Sequence, residues 1–195
     1  MCARKKNTDL NKMILTAAEE LFLSKGFRAV SMRKVAEKIG YSATTIYNYF
    51  TNKSDLLQAL VQDYYRDYLT EAEKILKNEE TDPLNTLRQM LILYITNGLK
   101  HPNHYKLLVG DYPEMASVKL SDSEGYKGYM HMQRLLKKSM EKGLLKPADL
   151  EMTAQGLWCC IYGLTSLLTI RPGFPWVDKM KLIEGTVDTN LNGLK

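Results

Sequence analysis

Two short amphipathic segments separated only by Gly40-Tyr41, Ser31–Ile39 and Ser42–Phe50, constrain this chain more than any other feature. In the first, Val35, Ala36 and Ile39 recur at helical spacing, while Arg33, Lys34, Glu37 and Lys38 fall on the opposite side. In the second, Ile46 and Phe50 stand four apart and give an inward stripe. Such spacing predicts helices that each bury one face. Ser31 and Ser42 are suited to cap them, because a serine oxygen accepts an otherwise unpaired first-turn amide. Gly40 supplies the stop between them. A longer helix, about residues 10–24, precedes the pair, with Asp9 as its cap and Ile14, Ala17, Ala18, Leu21 and Phe22 on one face. Lys25-Gly26 ends it, and Phe27 is expected to pack back on it. Two short helices joined by a glycine-containing turn and packed on a third form a helix-turn-helix.

With Ile46 and Phe50 inward, the third helix (Ala43–Tyr49) exposes Ala43, Thr44, Thr45, Tyr47, Asn48 and Tyr49. Hydroxyls, an amide and phenols donate to phosphate or read base edges, and the methyls of Ala43 and the threonines suit a thymine methyl. No acidic residue falls between Lys38 and Ser54. The net charge of +5 has the same address. Residues 1–60 hold 10 Lys+Arg against 5 Asp+Glu, and the rest of the chain holds 17 of each. An excess confined to one segment is an electrostatic footprint for a polyanion.

The stretch resembles the DNA-binding domain of the TetR/AcrR family of bacterial transcription regulators over roughly residues 10–60. The resemblance rests on Ala17-Ala18-Glu19-Glu20-Leu21-Phe22, Lys25-Gly26-Phe27, Val35-Ala36, Ile39-Gly40 and the run from Ile46 to Leu57. It implies phosphate contacts from Tyr47, Tyr49 and Lys53, and base or backbone contacts from Thr44, Thr45 and Asn48. Arg33 would touch the backbone or an adjacent base. Arg4, Lys5 and Lys6 form a short basic arm with the charge to reach a groove, and a disordered terminus is the preferred reading of it.

A fourth helix starts after Thr51-Asn52 and runs without Pro or Gly to about residue 78. Asp82-Pro83 opens a fifth, His101-Pro102 breaks it and starts a short sixth, and Gly110–Pro113 reads as a turn. A seventh closes at Gly143 and Pro147, an eighth spans about 149–170, and the last starts at Trp176. The expectation is an all-α chain of about nine helices, with a reader over 1–52 and a larger ligand-binding and dimerisation domain over 53–195. No segment reads as a signal peptide or membrane span, and the expected location is the cytoplasm. Leu157–Leu164 is similar to the Trp…His-Gly pattern of one C-terminal subclass, with Tyr162 where that pattern has His.

The eighth helix is apolar almost all round, which a monomer's surface helix cannot be. A homodimer follows, with Gly156, Ile161, Gly163, Leu164 and Leu168 of that helix, and Met180, Ile183, Val187 and Leu191 of the last, at a four-helix interface. Cys159 and Cys160 read as small buried thiols. The resemblance also implies a small-molecule cavity in the C-terminal domain. Its candidate lining is Met90, Tyr94, Tyr105, Tyr129 and Trp158, with His104, Asp111 and Tyr112 as polar anchors. No spacing typical of a zinc site, P-loop, dinucleotide fingerprint or hydrolase elbow is present, so neither metal, cofactor nor catalytic activity is expected. The expected function is a repressor on a pseudo-palindromic double-stranded operator, released by a small-molecule effector. The alternative keeps the fold but makes the C-terminal domain a partner-protein or constitutive assembly module without an inducer.

Overall fold

The computed structural model describes residues 2–109 and 124–195, and among them no strand occurs. The helices are α1 (Cys2–Lys25), α2 (Met32–Ile39), α3 (Ala43–Tyr47), α4 (Lys53–Leu76), α5 (Pro83–Lys100), α6 (Pro102–Leu108), α7 (Glu124–Glu141), α8 (Leu150–Ile170) and α9 (Lys179–Asn192), with a 3-10 turn at Phe27–Ala29.

Most boundaries follow from local side chains. Asn52 Oδ1 accepts from the amides of Ser54 and Asp55, while Asp55 Oδ2 accepts from Thr51 N and closes a reciprocal cap on α4. Asp82 caps α5 through Asn85 N at 3.1 Å, with Pro83 in the first turn, where its missing amide costs nothing. Asp149 caps α8 through Met152 N at 2.8 Å. Two expected starts are displaced. Asp9 lies within α1, which begins at Cys2, so it caps nothing. The last helix starts at Lys179 because Asp178 accepts from Lys181 N; Trp176 instead closes the preceding turn through its indole N–H to Arg171 O.

The chain divides into two compact units, one joining Met1–Tyr64 to the stretch from Asn103, the other joining Tyr65–Pro102 to the C-terminal helices. The first is built on Ile14, Ala18, Phe22, Val35, Ile46, Leu56, Leu57 and Leu60, with Leu107 of α6 in the same core. Phe27 does pack back, its ring 5.0 Å from that of Phe22. The expected boundary at residue 52 is therefore early: the first turns of α4 belong to the reader's core, and α4 continues unbroken into the second unit.

In the second unit α5 packs on α7, α8 and α9, and Arg88 forks onto Asp188 at 2.6 and 2.9 Å to fasten α5 to α9. The second half of α4 approaches α7 closely. A β-carbon at Gly125 would meet Tyr65 Oη at 2.7 Å, so any larger residue there would push that ring aside.

α8 corrects several expectations. Ala154, Leu157, Ile161, Thr165 and Leu168 form its buried face, and Ile183, Val187 and Leu191 do the same for α9. Ile161, Leu168, Ile183, Val187 and Leu191 thus belong to the protomer's own core and are not available to a partner. Cys159 and Cys160 are exposed rather than buried. Opposite the buried face, Met152, Gly156, Cys159, Gly163, Leu167 and Ile170 recur at helical spacing as an outward strip, with Leu164 half-buried at its margin. By length and composition α8 is also long and apolar enough to cross a membrane, contrary to the expectation that no segment approaches one.

Candidate nucleic-acid interface

The reader's geometry is set by the turn between α2 and α3. Gly40 has φ +74°, left-handed backbone that a β-carbon disfavours, and Tyr41 N returns to Ala36 O at 3.0 Å. Ser31 Oγ accepts from Lys34 N at the start of α2. Ser42 Oγ accepts from Thr45 N at 3.1 Å and shares a hydrogen bond with Thr45 Oγ1 at 2.9 Å. α3 is shorter than expected, ending at Tyr47, and a turn through Asn48 and Tyr49 returns Phe50 N to Ile46 O at 3.0 Å. Ile46 is fully buried and anchors the helix. Ser42→Ala should destabilise this unit by about 1 kcal/mol through loss of the cap. Thermal unfolding checks it, and an unchanged midpoint contradicts it.

With Ile46 and Phe50 inward, Thr44, Tyr47 and Asn48 are exposed, while Ala43, Thr45 and Tyr49 are half-buried. Tyr49 packs against the core and is only partly presented. Arg33 is exposed, its Nε 3.1 Å from Glu37 Oε1. Such exposed pairs are worth little and exchange readily for a phosphate. Lys53 is not a free surface cation. Its Nζ donates to Phe27 O at 3.1 Å and lies 4.3 Å above the Phe27 ring. That leaves ammonium donors for a second acceptor while fixing the charge beside the turn.

Tyr41, in the turn itself, is 46% exposed and joins this surface. It was readable as a turn residue only; the signal lay in its position just before the cap of the third helix, inside the acid-free run. An open cleft of about 440 Å³ between α1 and α2 is lined by Lys25, Lys34 and Lys38 with Glu37, but Lys34 is tied to Ala29 O and Lys38 to Glu20.

Residues 14–60 match the family described as bacterial regulatory proteins, tetR family. The chain is 26% identical to the HTH-type transcriptional regulator TtgR of Pseudomonas putida, over 93% of this chain and 90% of that one. This chain carries the DNA-binding domain of the tetR family. It is a DNA-binding transcriptional regulator, and the relatives it matches over their length are regulators too. Among solved structures, NalD, the secondary repressor of the MexAB-OprM multidrug efflux pump in Pseudomonas aeruginosa, superposes with a TM-score of 0.75 at 20% identity, covering 96% of this chain and 97% of that one. The SmeT–triclosan complex superposes with a TM-score of 0.71 at 21% identity, covering 95% and 91%. Both likenesses show the TetR fold.

The residues expected around an effector cavity are divided between the two units. His104 and Tyr105 belong to the reader's unit, where Tyr105 is fully buried and His104 Nδ1 sits 3.3 Å from Glu19 Oε1. Met90, Tyr94, Tyr129 and Trp158 belong to the second unit, with Met90 buried and Trp158 46% exposed. The reason is register: α6 follows Pro102 back into the reader's core, which a linear reading assigned to the C-terminal domain. Asp111, Tyr112 and the expected turn at Gly110–Pro113 lie outside the described residues. Within the second unit, two buried polar atoms have no hydrogen-bond partner among the described residues, Asn97 Nδ2 on α5 and His131 Nδ1 on α7. Burial holds the His131 imidazole below its ordinary pKa, with Arg134 pushing the same way, which favours the neutral ring.

Proposed function

We propose that this TetR-family regulator is a homodimeric repressor whose two α3 helices read a pseudo-palindromic operator and release it when a small organic effector enters the C-terminal unit. The observation that carries the DNA half is the exposed, acid-free surface of Tyr41, Thr44, Tyr47 and Asn48 on a capped, core-anchored helix. Thr44, Thr45, Asn48 and the Ala43 methyl face base edges or the sugar-phosphate backbone. Tyr47, Tyr49, Lys53 and Arg33 hold phosphates. The outward strip of α8 around Gly156 and Gly163, with exposed Met180 on α9, is the surface a partner copy covers, since a β-carbon at either glycine would meet nothing within 4 Å in the protomer.

An effector is supported by the unpartnered Asn97 and His131, since an unmade buried hydrogen bond costs about 1–3 kcal/mol that a polar ligand atom would recover. It is also supported by the fold shared with SmeT, whose solved structure is a complex with triclosan. α4, running from the reader's core into the second unit, is the covalent link through which binding there changes the separation of the two α3 helices.

Lys53→Ala is expected to weaken binding to every DNA sequence and to lower the slope of log affinity against log salt by about one. Asn48→Ala is expected instead to lose about 1–3 kcal/mol of discrimination at particular base pairs. Titrations on operator and random duplexes at several salt concentrations separate the two. Wild-type behaviour of both variants would remove these contacts from the interface.

A further inference from the structure

Along the joint between α7 and α8, four aromatic rings touch in sequence. Tyr126 stacks on Tyr129 with centroids 6.1 Å apart, Tyr129 tilts against Trp158 at 5.8 Å, and Trp158 meets Tyr162 edge-on at 6.3 Å. Successive planes turn by 29°, 59° and 77°, so the run presents ring faces in several directions instead of one flat stack. It is open to solvent: Trp158 is 46% and Tyr162 37% exposed, with Tyr126 and Tyr129 half-buried. Four adjacent half-open aromatic residues are more than the scattered exposed apolar residues a surface ordinarily carries.

Beside Tyr129, the second ring of the run, stands Glu151. Tyr129 Oη donates to its Oε1 at 2.8 Å, Gln155 Nε2 donates to the same oxygen at 2.7 Å, and Gln133 Nε2 donates to Oε2. All three donors are neutral. They orient the carboxylate and leave its charge in place; among the described residues no cationic side chain pairs with it, and the like-signed Asp149 acts on it. The Tyr129 hydrogen bond, then that of Gln155, holds Glu151 below the ordinary carboxylate pKa, so it is ionised at neutral pH. Tyr129 is pushed up to about 12 by burial and by this carboxylate, so it stays a donor. Other carboxylates of the same unit do have cationic partners: Glu79 has Arg134 and Lys138, and Asp188 has Arg88.

An oriented carboxylate with no cationic partner among the described residues, beside a run of electron-rich ring faces, has the chemistry of an organic-cation site. Ring quadrupoles attract a diffuse positive charge within about 6 Å of their centroids, and a tetraalkylammonium or similar cation gives up little hydration to reach them. We infer that the Tyr126–Tyr129–Trp158–Tyr162 run and Glu151 form a binding site for an organic cation carrying apolar substituents. The rings cover the apolar groups, and Glu151 supplies the charge. The site lies on the α7 side of α8, centred about a third of a turn round the helix from the Gly156–Gly163 strip. As a statement about the effector's charge, the inference rests on the repressor reading above; as a statement about binding, it stands without it.

The test uses the full-length protein and two isosteres, 3-hydroxyphenyltrimethylammonium and neutral 3-tert-butylphenol, titrated by calorimetry without DNA. The cation is expected to bind at least tenfold more tightly than the phenol. Glu151→Gln, which keeps the shape and an acceptor, is expected to lose at least tenfold for the cation and little for the phenol. Trp158→Leu, at a half-exposed position, should weaken both compounds, the cation more. Equal affinity for the two isosteres, no binding of the cation, or an unchanged cation affinity in Glu151→Gln overturns the site. The same compounds are then added to the protein–operator complex. Cation binding without operator release leaves the site standing and removes only its role as the effector site.

Discussion

Gly163→Arg leaves the protomer folded and lowers operator affinity by roughly two to four orders of magnitude, the range over which joining two weak half-site contacts multiplies affinity. The reasoning starts from the outward strip of α8. A β-carbon at Gly163 meets nothing within 4 Å in the protomer, and replacing a mid-helix glycine by a good helix former favours the helix by about 0.5–1 kcal/mol. An arginine there therefore harms nothing inside one chain. Across a close helix–helix contact it forces the backbones apart and brings two guanidinium groups to the two-fold axis. Sedimentation should shift from dimer to monomer, far-ultraviolet dichroism should keep its helix content, and half-site binding should persist only weakly. Leu167→Lys, at a position 52% exposed in the protomer, should act in the same direction. A dimer of unchanged stability in both variants would mean that this strip is not the interface.

Leu57→Ala costs about 2–5 kcal/mol and abolishes DNA binding at temperatures the wild type tolerates. Leu57 is fully buried in the reader's core, between α4 and the helices carrying Phe22, Val35 and Ile46. If α4 served only as a spacer starting a separate domain, truncating it at this position would cost little and leave the reader intact. Urea unfolding, monitored together with operator binding, distinguishes these outcomes; a loss under 1 kcal/mol would move the boundary back to residue 52.

The reader was legible because its signals are local. Ser31, Ser42, Asn52, Asp82 and Asp149 cap helices by reaching two or three residues along their own chain, and Gly40 ends α2 by its own backbone angle. None of that depends on distant contacts. α8 was legible as a helix but not in phase. When both faces are apolar, spacing predicts a helix and leaves open which side turns inward, so Ile161 and Leu168 were assigned to the partner while Cys159 was assigned to the core. α9 failed in the same way at Ile183, Val187 and Leu191. The start of α9 was missed because Trp176 looked like a first-turn anchor, whereas Asp178 holds the cap. The effector residues were the least readable. Whether His104 and Tyr105 side with Met90 or with Leu107 depends on where α6 returns, and a turn after Lys100 can be seen in the chain without its direction. The aromatic run of α7 and α8 was invisible as a group, because Tyr126 and Tyr129 are separated from Trp158 and Tyr162 by a loop and a capping residue.

The central claim is that two copies of α3, held by one dimer, read two half-sites. Selection of bound duplexes from a random pool by the full-length protein, followed by footprinting of the enriched sequence, tests it most directly. The expected result is an inverted repeat whose half-site centres lie about one helical turn apart, roughly 34–36 Å, protected by one dimer and lost with Asn48→Ala at defined positions. Enrichment of a single unrepeated element, or of no sequence at all, would contradict it.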